Sequence, residues 1–413
     1  VFRHVPPSGR WIEELVDLTA YAGHAVEVVL RCESGASTAG TAGFWASPIL
    51  MSRGRPHPNV LVICMDSLRA DHVHCYGYDR RTTPTLDSLA SHGHMFRQAI
   101  SQSSWTLPAH ASLFSSLYMR THGVTSPREA LSSSASTIAE SLRRAGYVTA
   151  AVLSGGPVTP EYGLAQGFDV YDTGCRSGGL EGVIKPTNAC TNQRVFKVLD
   201  QCGRCPLFLF VQYWDVHFDY APPAPYDTLF DADYSGHLSV GRVRNNRFVP
   251  QKLSPRDLSH AVALYDGEIA HTDGYVGRLL ARLRALHLSD NTLVVVTSDH
   301  GDEFLEHGAA GHCHSLFQEL IHVPLLWVPP GGTVPSAIDD RVELIDVAPS
   351  WTGSGFRSRS AWRGARCCPS SGANMMIRDQ LSPRHGRGRD GRRCWWVARS
   401  SYSLSVAAPW HTI

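Results

Sequence analysis

Three mostly apolar runs end on residues that bind metals or move protons, and nothing else in this 413-residue chain constrains its fold as strongly. Val60–Met65 is followed by Asp66, Leu293–Ser298 by Asp299-His300-Gly301, and Leu207–Trp214 by Asp215 and His217. Runs apolar at every position, rather than at every second one, are strands covered on both faces. Strands are expected at Asn59–Met65, Val148–Leu153, Leu207–Tyr213 and Leu293–Thr297. Helices are expected between them: Pro84–His92, Ser136–Ala145, and Asp257–Leu286 with Ala261, Leu264, Ile269, Val276, Leu279, Leu280 and Leu283 in register. This alternation predicts an α/β, doubly wound, mostly parallel sheet with helices on both faces. Ligands of such sheets lie beyond the carboxyl ends of the strands. A lone carboxylate there is commonly a helix cap or a turn former, whereas three together point to a site.

Composition bounds the rest. With 43% hydrophobic and 18% charged residues the chain can bury a large core, which excludes a disordered protein. No apolar run approaches the roughly 18 residues of a membrane-spanning helix. Val1-Phe2-Arg3-His4 is not a basic-then-apolar leader, so no signal peptide is visible at a start that reads as truncated. Eleven irregularly spaced cysteines define no disulfide framework. The compartment stays open, with the periplasm or the extracellular space compatible. Cys202-Gly-Arg-Cys205 lacks the second pair of a zinc site and precedes a strand rather than opening a helix, so it reads as coincidence.

Domain boundaries follow from pattern and charge. Residues 1–50 alternate as short β segments around His24–Arg31, the look of a partial β-sandwich, and 51–58 with its Arg and Pro residues makes a linker. Residues 59–350 form the α/β domain. Residues 1–350 hold 27 Lys+Arg against 35 Asp+Glu, but 351–413 hold 11 Arg, no Lys and 2 Asp, with five of the ten Trp. That tail shows neither helical nor strand periodicity in stretches such as Arg392–Trp396. It reads as an out-of-frame or mis-assembled end rather than as a nucleic-acid arm, which would run in low-complexity Lys/Arg. No nucleic-acid partner is expected.

A further element is Ser104-Trp105-Thr106-Leu107-Pro108-Ala109-His110-Ala111-Ser112-Leu113-Phe114. Pro108 suits the first turn of a helix, placing the Thr106 hydroxyl at an N-terminus that favours negative charge. Thr106 there is either a nucleophile or simply the helix cap.

Together with Asn59–His72, Tyr76-Gly77-Tyr78, Thr83–Asp87, His122-Gly123-Val124 and Ser298-Asp299-His300-Gly301-Asp302-Glu303 through Glu306-His307-Gly308, this block resembles the sulfatase family of the alkaline phosphatase superfamily. The resemblance covers roughly Asn59 to Pro349. It implies a sulfatase-type α/β fold and a metal-dependent hydrolase of sulfate or phosphate esters. Asp66, Asp299, His300 and the Thr106 oxygen would hold one divalent ion, with Ca, Mn or Zn compatible. Thr106 would attack, and His217 would contact the bound anion or protonate the leaving group. His110 stands where the family has Arg, and His312 and His314 lie near the place of an anion-binding Lys, so these three are the expected substrate-binding residues. The substrate would be a small-molecule, glycan-linked or lipid-linked ester.

The sequence departs from the family pattern in ways that bear on chemistry. Threonine cannot be oxidised to the formylglycine that sulfatases make from Cys or Ser, so no formylglycine is expected. Ser67 replaces the second of two paired aspartates, and the Lys-x-His after Val148–Leu153 reads Ser154-Gly155-Gly156. Threonine nucleophiles occur in the phosphoryl-transferring branches, among them phosphonate and phosphodiester hydrolases and phosphoglycerol transferases. A catalytically inactive binding protein and a phosphoglycerol-type transferase are the alternatives.

Overall fold

The computed structural model describes residues 16–21, 25–31, 49–52, 58–175, 186–202, 205–236, 238, 253–348, 393–399 and 404–407. The chain divides into two compact units, residues 1–55 with 366–413, and residues 56–365. The smaller contains β1 (Val16–Asp17), β2 (Ala25–Arg31) and β3 (Ile49–Ser52), with the last strands of the chain, β14 (Arg393–Arg399) and β15 (Leu404–Ala407). Antiparallel pairing joins β14 to β2, and β15 to both β1 and β3. Two segments of the tail are therefore strands where periodicity predicts none. Trp395 beside Trp396 breaks the two-residue alternation, yet a ladder is made by backbone groups whatever the side-chain order. Most of 351–413 lies outside the described residues, as do 53–57 of the expected linker 51–58, whose Met51 and Ser52 belong to β3.

The larger unit carries β4 (Asn59–Met65), α1 (Pro84–Ala90), β5 (His94–Ile100), α2 (Thr106–Ser115), α3 (Met119–His122), α4 (Ile138–Arg144), β6 (Val148–Leu153), β7 (Val170–Asp172), α5 (Asn188–Cys202), β8 (Leu207–Tyr213), α6 (Pro255–Ala285), β9 (Thr292–Thr297), β10 (Glu303–Phe304), β11 (Ala310–Gly311), α7 (Gln318–Ile321), β12 (His322–Val328) and β13 (Ser336–Glu343). Eight of these strands form one sheet in the order β13-β5-β12-β9-β4-β8-β6-β7. The neighbours from β9 to β7 are all parallel, and only β12 runs against its neighbours. Every residue of β4, β6, β8 and β9 is buried, as their unbroken apolar runs predict.

Helices cover both faces. Val60, Val62, Phe208 and Phe210 pack with Leu107, Ala111 and Phe114 of α2 and Ile138 and Leu142 of α4. Residues between them on the strands, such as Leu61, Ile63 and Leu209, point the other way, and are also buried. Helix boundaries follow from caps. Pro255 stands at the first position of α6, and Ser254 and Asp257 close a reciprocal capping box, so the helix starts two residues before the apolar register suggests.

Helix α6 also holds the segment after β4. Tyr265 donates its hydroxyl to the Ser67 carbonyl at 2.7 Å and accepts from Arg69 N at 2.9 Å. Fully buried Asp266 accepts from Tyr78 Oη, Arg80 and His72 Nδ1, each at 2.7 Å. Asp273 accepts from the first amides of α1, Thr85 N at 2.8 Å and Leu86 N at 3.0 Å. A disulfide joins Cys175 to Cys190 of α5, and Cys202 and Cys205 are buried.

Candidate active site

Asp66 is the first residue past β4, and Asp299 and His300 follow β9 beside it, so adjacent parallel strands deliver three ligand-type side chains to one point. All three are fully buried, with ligand atoms within 4.8 Å of one another. His300 Nε2 lies 3.5 Å from Asp299 Oδ2 and 3.9 Å from Asp66 Oδ1. A carbonyl can only accept, so the 3.1 Å contact of His300 Nδ1 with the Gly301 oxygen puts the proton on Nδ1. Nε2 therefore presents a lone pair, and the Thr106 hydroxyl donates to it at 3.3 Å.

Thr106 is not the cap of its helix. Trp105 takes that position, and Thr106 is the first helical residue, with its hydroxyl turned to His300. Its backbone serves a second purpose: His110, one turn on, donates Nδ1–H to the Thr106 carbonyl at 2.9 Å.

The carboxylates are held from several directions. Gln212 Nε2, on β8, donates to Asp66 Oδ2 at 2.7 Å, and Ser67 Oγ to Asp66 Oδ1 at 3.1 Å. Ser67 N and His300 N donate to Asp299 Oδ1 at 3.2 and 3.0 Å. Ser67 does so from a left-handed backbone, φ 58°, a conformation that costs an L residue about 1 kcal/mol and is fixed here by Tyr265. Asp299 Oδ2 accepts no hydrogen bond although it is buried. Burial and the neighbouring Asp299 push the Asp66 carboxyl well above its ordinary value, and burial lowers that of His300. Two carboxylates, a bare imidazole nitrogen and a hydroxyl oxygen thus converge with too few donors among them. Lone pairs gathered in this way fit a divalent cation, with one nitrogen among oxygens.

A second set borders the first. His312 Nδ1 and Asp302 Oδ1 are 2.6 Å apart, Tyr220 Oη donates to Asp302 Oδ2 at 2.6 Å, and the His312 ring lies 4.3 Å from that of His300 and 4.9 Å from that of His217. Burial opposes both charges, but their contact outweighs it: the Asp302 carboxyl is held well below the usual range and His312 well above its own. The Asp302 contact thus favours the protonated form of His312 beside the first set.

The structure therefore brings Asp66, Asp299, His300, Thr106, His217 and His312 together, and treats the other candidates differently. His110 is fully buried, edge-on to Phe114 and Phe210, with burial lowering its pKa and Nδ1 3.6 Å from Asp299 Oδ2. Its contacts in the structure are the Thr106 carbonyl, Asp299 and these two rings. His314 turns to Glu303, 2.7 Å from its Nε2, and away from the cluster. Asp215, at the end of the third apolar run, accepts from Thr187 N, Thr187 Oγ1 and Asn188 N and so caps α5. Sequence reasoning did not single out Gln212, Asp302 or Tyr220. A polar residue inside the apolar run of β8 was the available signal for Gln212.

The fold is of the alkaline phosphatase type: a mostly parallel sheet with acidic and histidine side chains at its carboxyl edge and a hydroxyl at a helix start. A family profile described as Sulfatase matches residues 58–354, and the chain belongs to the sulfatase family. It is 23% identical over 403 residues to an arylsulfatase of Clostridium perfringens, covering 81% of this chain and 80% of that protein. Against human iduronate 2-sulfatase it is 24% identical over 335 residues, covering 67% of this chain and 60% of that protein. The chain thus spans less than two-thirds of the human relative. Among solved structures, the phosphonate monoester hydrolase of Agrobacterium radiobacter superposes with a TM-score of 0.60 at 21% identity, covering 71% of this chain and 73% of the other. That of Silicibacter pomeroyi gives 0.59 at 21% identity, over 78% and 79%. These two likenesses establish the fold.

Proposed function

We propose that this chain hydrolyses a phosphonate monoester or phosphate diester, or the corresponding sulfate ester, with Thr106 as the attacking group. The observation that carries the reading is the Thr106 hydroxyl at the start of α2, hydrogen-bonded to His300 beside Asp66 and Asp299. A phosphorus ester is favoured over a sulfate because threonine reacts directly, by displacement, and cannot furnish the aldehyde hydrate of formylglycine chemistry. The metal-binding residues are Asp66, Asp299 and His300, with Thr106 Oγ1 completing the set. Bound there, a divalent cation would favour the Thr106 alkoxide and offset charge on the ester oxygens.

The remaining steps belong to the chain. Thr106 Oγ1, its proton lost to water, forms the bond to phosphorus while the bond to the alcohol oxygen breaks. The amides at the start of α2 face the developing negative charge. His312, whose protonated form the Asp302 contact favours, would attract the anion. His217 in its doubly protonated form, with Nδ1–H kept on the Phe218 carbonyl, would give the Nε2 proton to the departing alcohol oxygen, and water then attacks phosphorus and releases Thr106. Substrate contacts come from His312 and not from His110 or His314. The Cys175–Cys190 disulfide supports an oxidising compartment, periplasmic or extracellular.

The test is metal-supplemented turnover of an aryl methylphosphonate, an aryl phosphate diester and an aryl sulfate, with Thr106→Ala as control. Phosphonate or diester turnover lost in Thr106→Ala, with a stable phosphothreonine trapped by acid quench and mass spectrometry, supports the reading. Turnover that survives Thr106→Ala rejects Thr106 as nucleophile.

A further inference from the structure

Beside Thr106 the backbone of Ser154-Gly155-Gly156 leaves β6 with no side chain past the serine, and the space is taken by an indole. A Cβ at Gly155 would lie 2.2 Å from Trp214 Cδ2, 2.3 Å from Cγ and 2.7 Å from Cε2. One at Gly156, whose φ is +77°, would lie 2.7 Å from Trp214 Cζ3, 3.2 Å from Cη2 and 3.3 Å from Thr106 Cγ2. One face of the Trp214 ring therefore rests on bare backbone next to the nucleophile. The other face is stacked on His217, with ring centroids 3.8 Å apart and planes 20° from parallel. Ser154 fixes the start of this arrangement: its Oγ accepts from Trp214 N at 3.1 Å and donates to the Gln212 carbonyl at 2.9 Å.

His217 is gripped on its remaining sides as well. Phe218 lies 4.0 Å from its ring and His312 meets it edge-on. Its Nδ1–H donates to the Phe218 carbonyl at 2.8 Å, which leaves Nε2 as the nitrogen at the opposite edge of the ring. An imidazolium that hands over its Nε2 proton must hold its plane, because transfer falls off steeply with misalignment. The hydrogen bond to the adjacent carbonyl keeps Nδ1 protonated, so that the proton given up is the one on Nε2, but lets the ring swing about it. The stack removes that freedom.

We propose that Trp214 is a positioning residue for His217, and that Gly155 and Gly156 are glycines because the indole needs the space of their side chains. Trp214, with both faces covered, offers no stacking surface to substrate. The inference rests on the proposed role of His217 in protonating the leaving alcohol.

The experiment compares the phenyl and 4-nitrophenyl esters of methylphosphonate, since 4-nitrophenolate departs without a proton and phenolate does not. Trp214→Ala is expected to lower kcat for the phenyl ester about 100-fold and for the 4-nitrophenyl ester only about threefold, with KM little changed. Trp214→Phe, which keeps a ring over the glycines, should restore most of the loss. Gly155→Ala, which drives a methyl into the indole, should give the same leaving-group signature. The double variant Trp214→Ala/Gly155→Ala should be no worse than Trp214→Ala, because the clash has gone. Equal losses on both esters, or none, overturn the positioning role. So does a Gly155→Ala penalty that persists without Trp214. Wild-type protein with no turnover, or turnover indifferent to Thr106→Ala, is a separate failure that removes the functional reading itself and this role with it. Thermal melts of each variant separate a lost fold from a displaced ring, and Trp214→Phe keeps the test decisive where Trp214→Ala does not fold.

Discussion

Two sets of buried acids in the larger unit look alike by burial and differ in what surrounds them. Asp266 and Asp215 are fully buried, and their oxygens are taken up by donors: His72, Tyr78 and Arg80 for the first, Thr187 and Asn188 for the second. Asp66 and Asp299 are equally buried, yet Asp299 Oδ2 accepts nothing, and the two carboxylates face each other and a bare His300 nitrogen. Saturated carboxylates hold the fold together. Asp299, with one oxygen lacking a donor and a second carboxylate beside it, is left with charge that a cation or a proton would relieve, and this difference, rather than burial, sets the pair apart.

The contrast predicts opposite behaviour on substitution. Asp299→Asn should cut turnover at least about 1,000-fold, while the metal-free protein melts at the same temperature or higher, since a buried unpaired charge is removed. A large loss of metal-free stability would erase the distinction. Asp266→Asn should do the reverse. Removing the charge that faces Arg80 and His72 is expected to cost about 3–5 kcal/mol in chemical denaturation, and the residual folded protein should keep its kcat.

Cation binding sharpens the comparison further. At about 100 times its dissociation constant, a divalent ion should add about 2.7 kcal/mol to the wild type, read as a rise in melting temperature that chelation reverses. The gain should vanish in Asp299→Asn and persist in Asp215→Asn. Equal gains in both variants would place the ion elsewhere.

Asp273 is the intermediate case, hydrogen-bonded to the amides of Thr85 and Leu86 and buried without a cation. Burial lifts its pKa to about 6 despite those bonds. Its folded value is therefore above the unfolded one of about 3.9, and the native state binds the extra proton between them. Its ionisation destabilises the fold fully above pH 6, and stability returns as pH falls toward 4. Wild type minus Asp273→Asn, measured by denaturation from pH 7 to pH 4, should show a relative gain on the order of 2 kcal/mol for the wild type. A relative loss toward acid would show that the helix amides outweigh burial.

Much of this fold was legible because burial on two faces leaves a local mark. The strands Val148–Leu153 and Leu207–Tyr213 coincide with their apolar runs to the residue. β5 and β13 left no such mark, since they lie toward the sheet's edge with mixed exposure, and their residues do not read as strands. The same held for the site. Asp66 and Asp299 could be picked out as strand-end acids, but so could Asp215, and nothing within its own segment distinguishes it. The donors that turn Asp215 into a helix cap stand 27 and 28 residues away in sequence.

The sequence by itself determined the class of sheet, the carboxyl-end placement of Asp66, Asp299 and His300, and the hydroxyl at the head of α2, because each follows from periodicity or chain direction over a dozen residues. Tertiary structure alone decided which acids share one point, that His110 is buried against Phe114 and Phe210, that His314 faces Glu303, and that Trp214 fills the space over Gly155 and Gly156. The physical reason is that a side chain's partner is chosen by whatever distant segment packs against it, and local spacing carries no record of that choice.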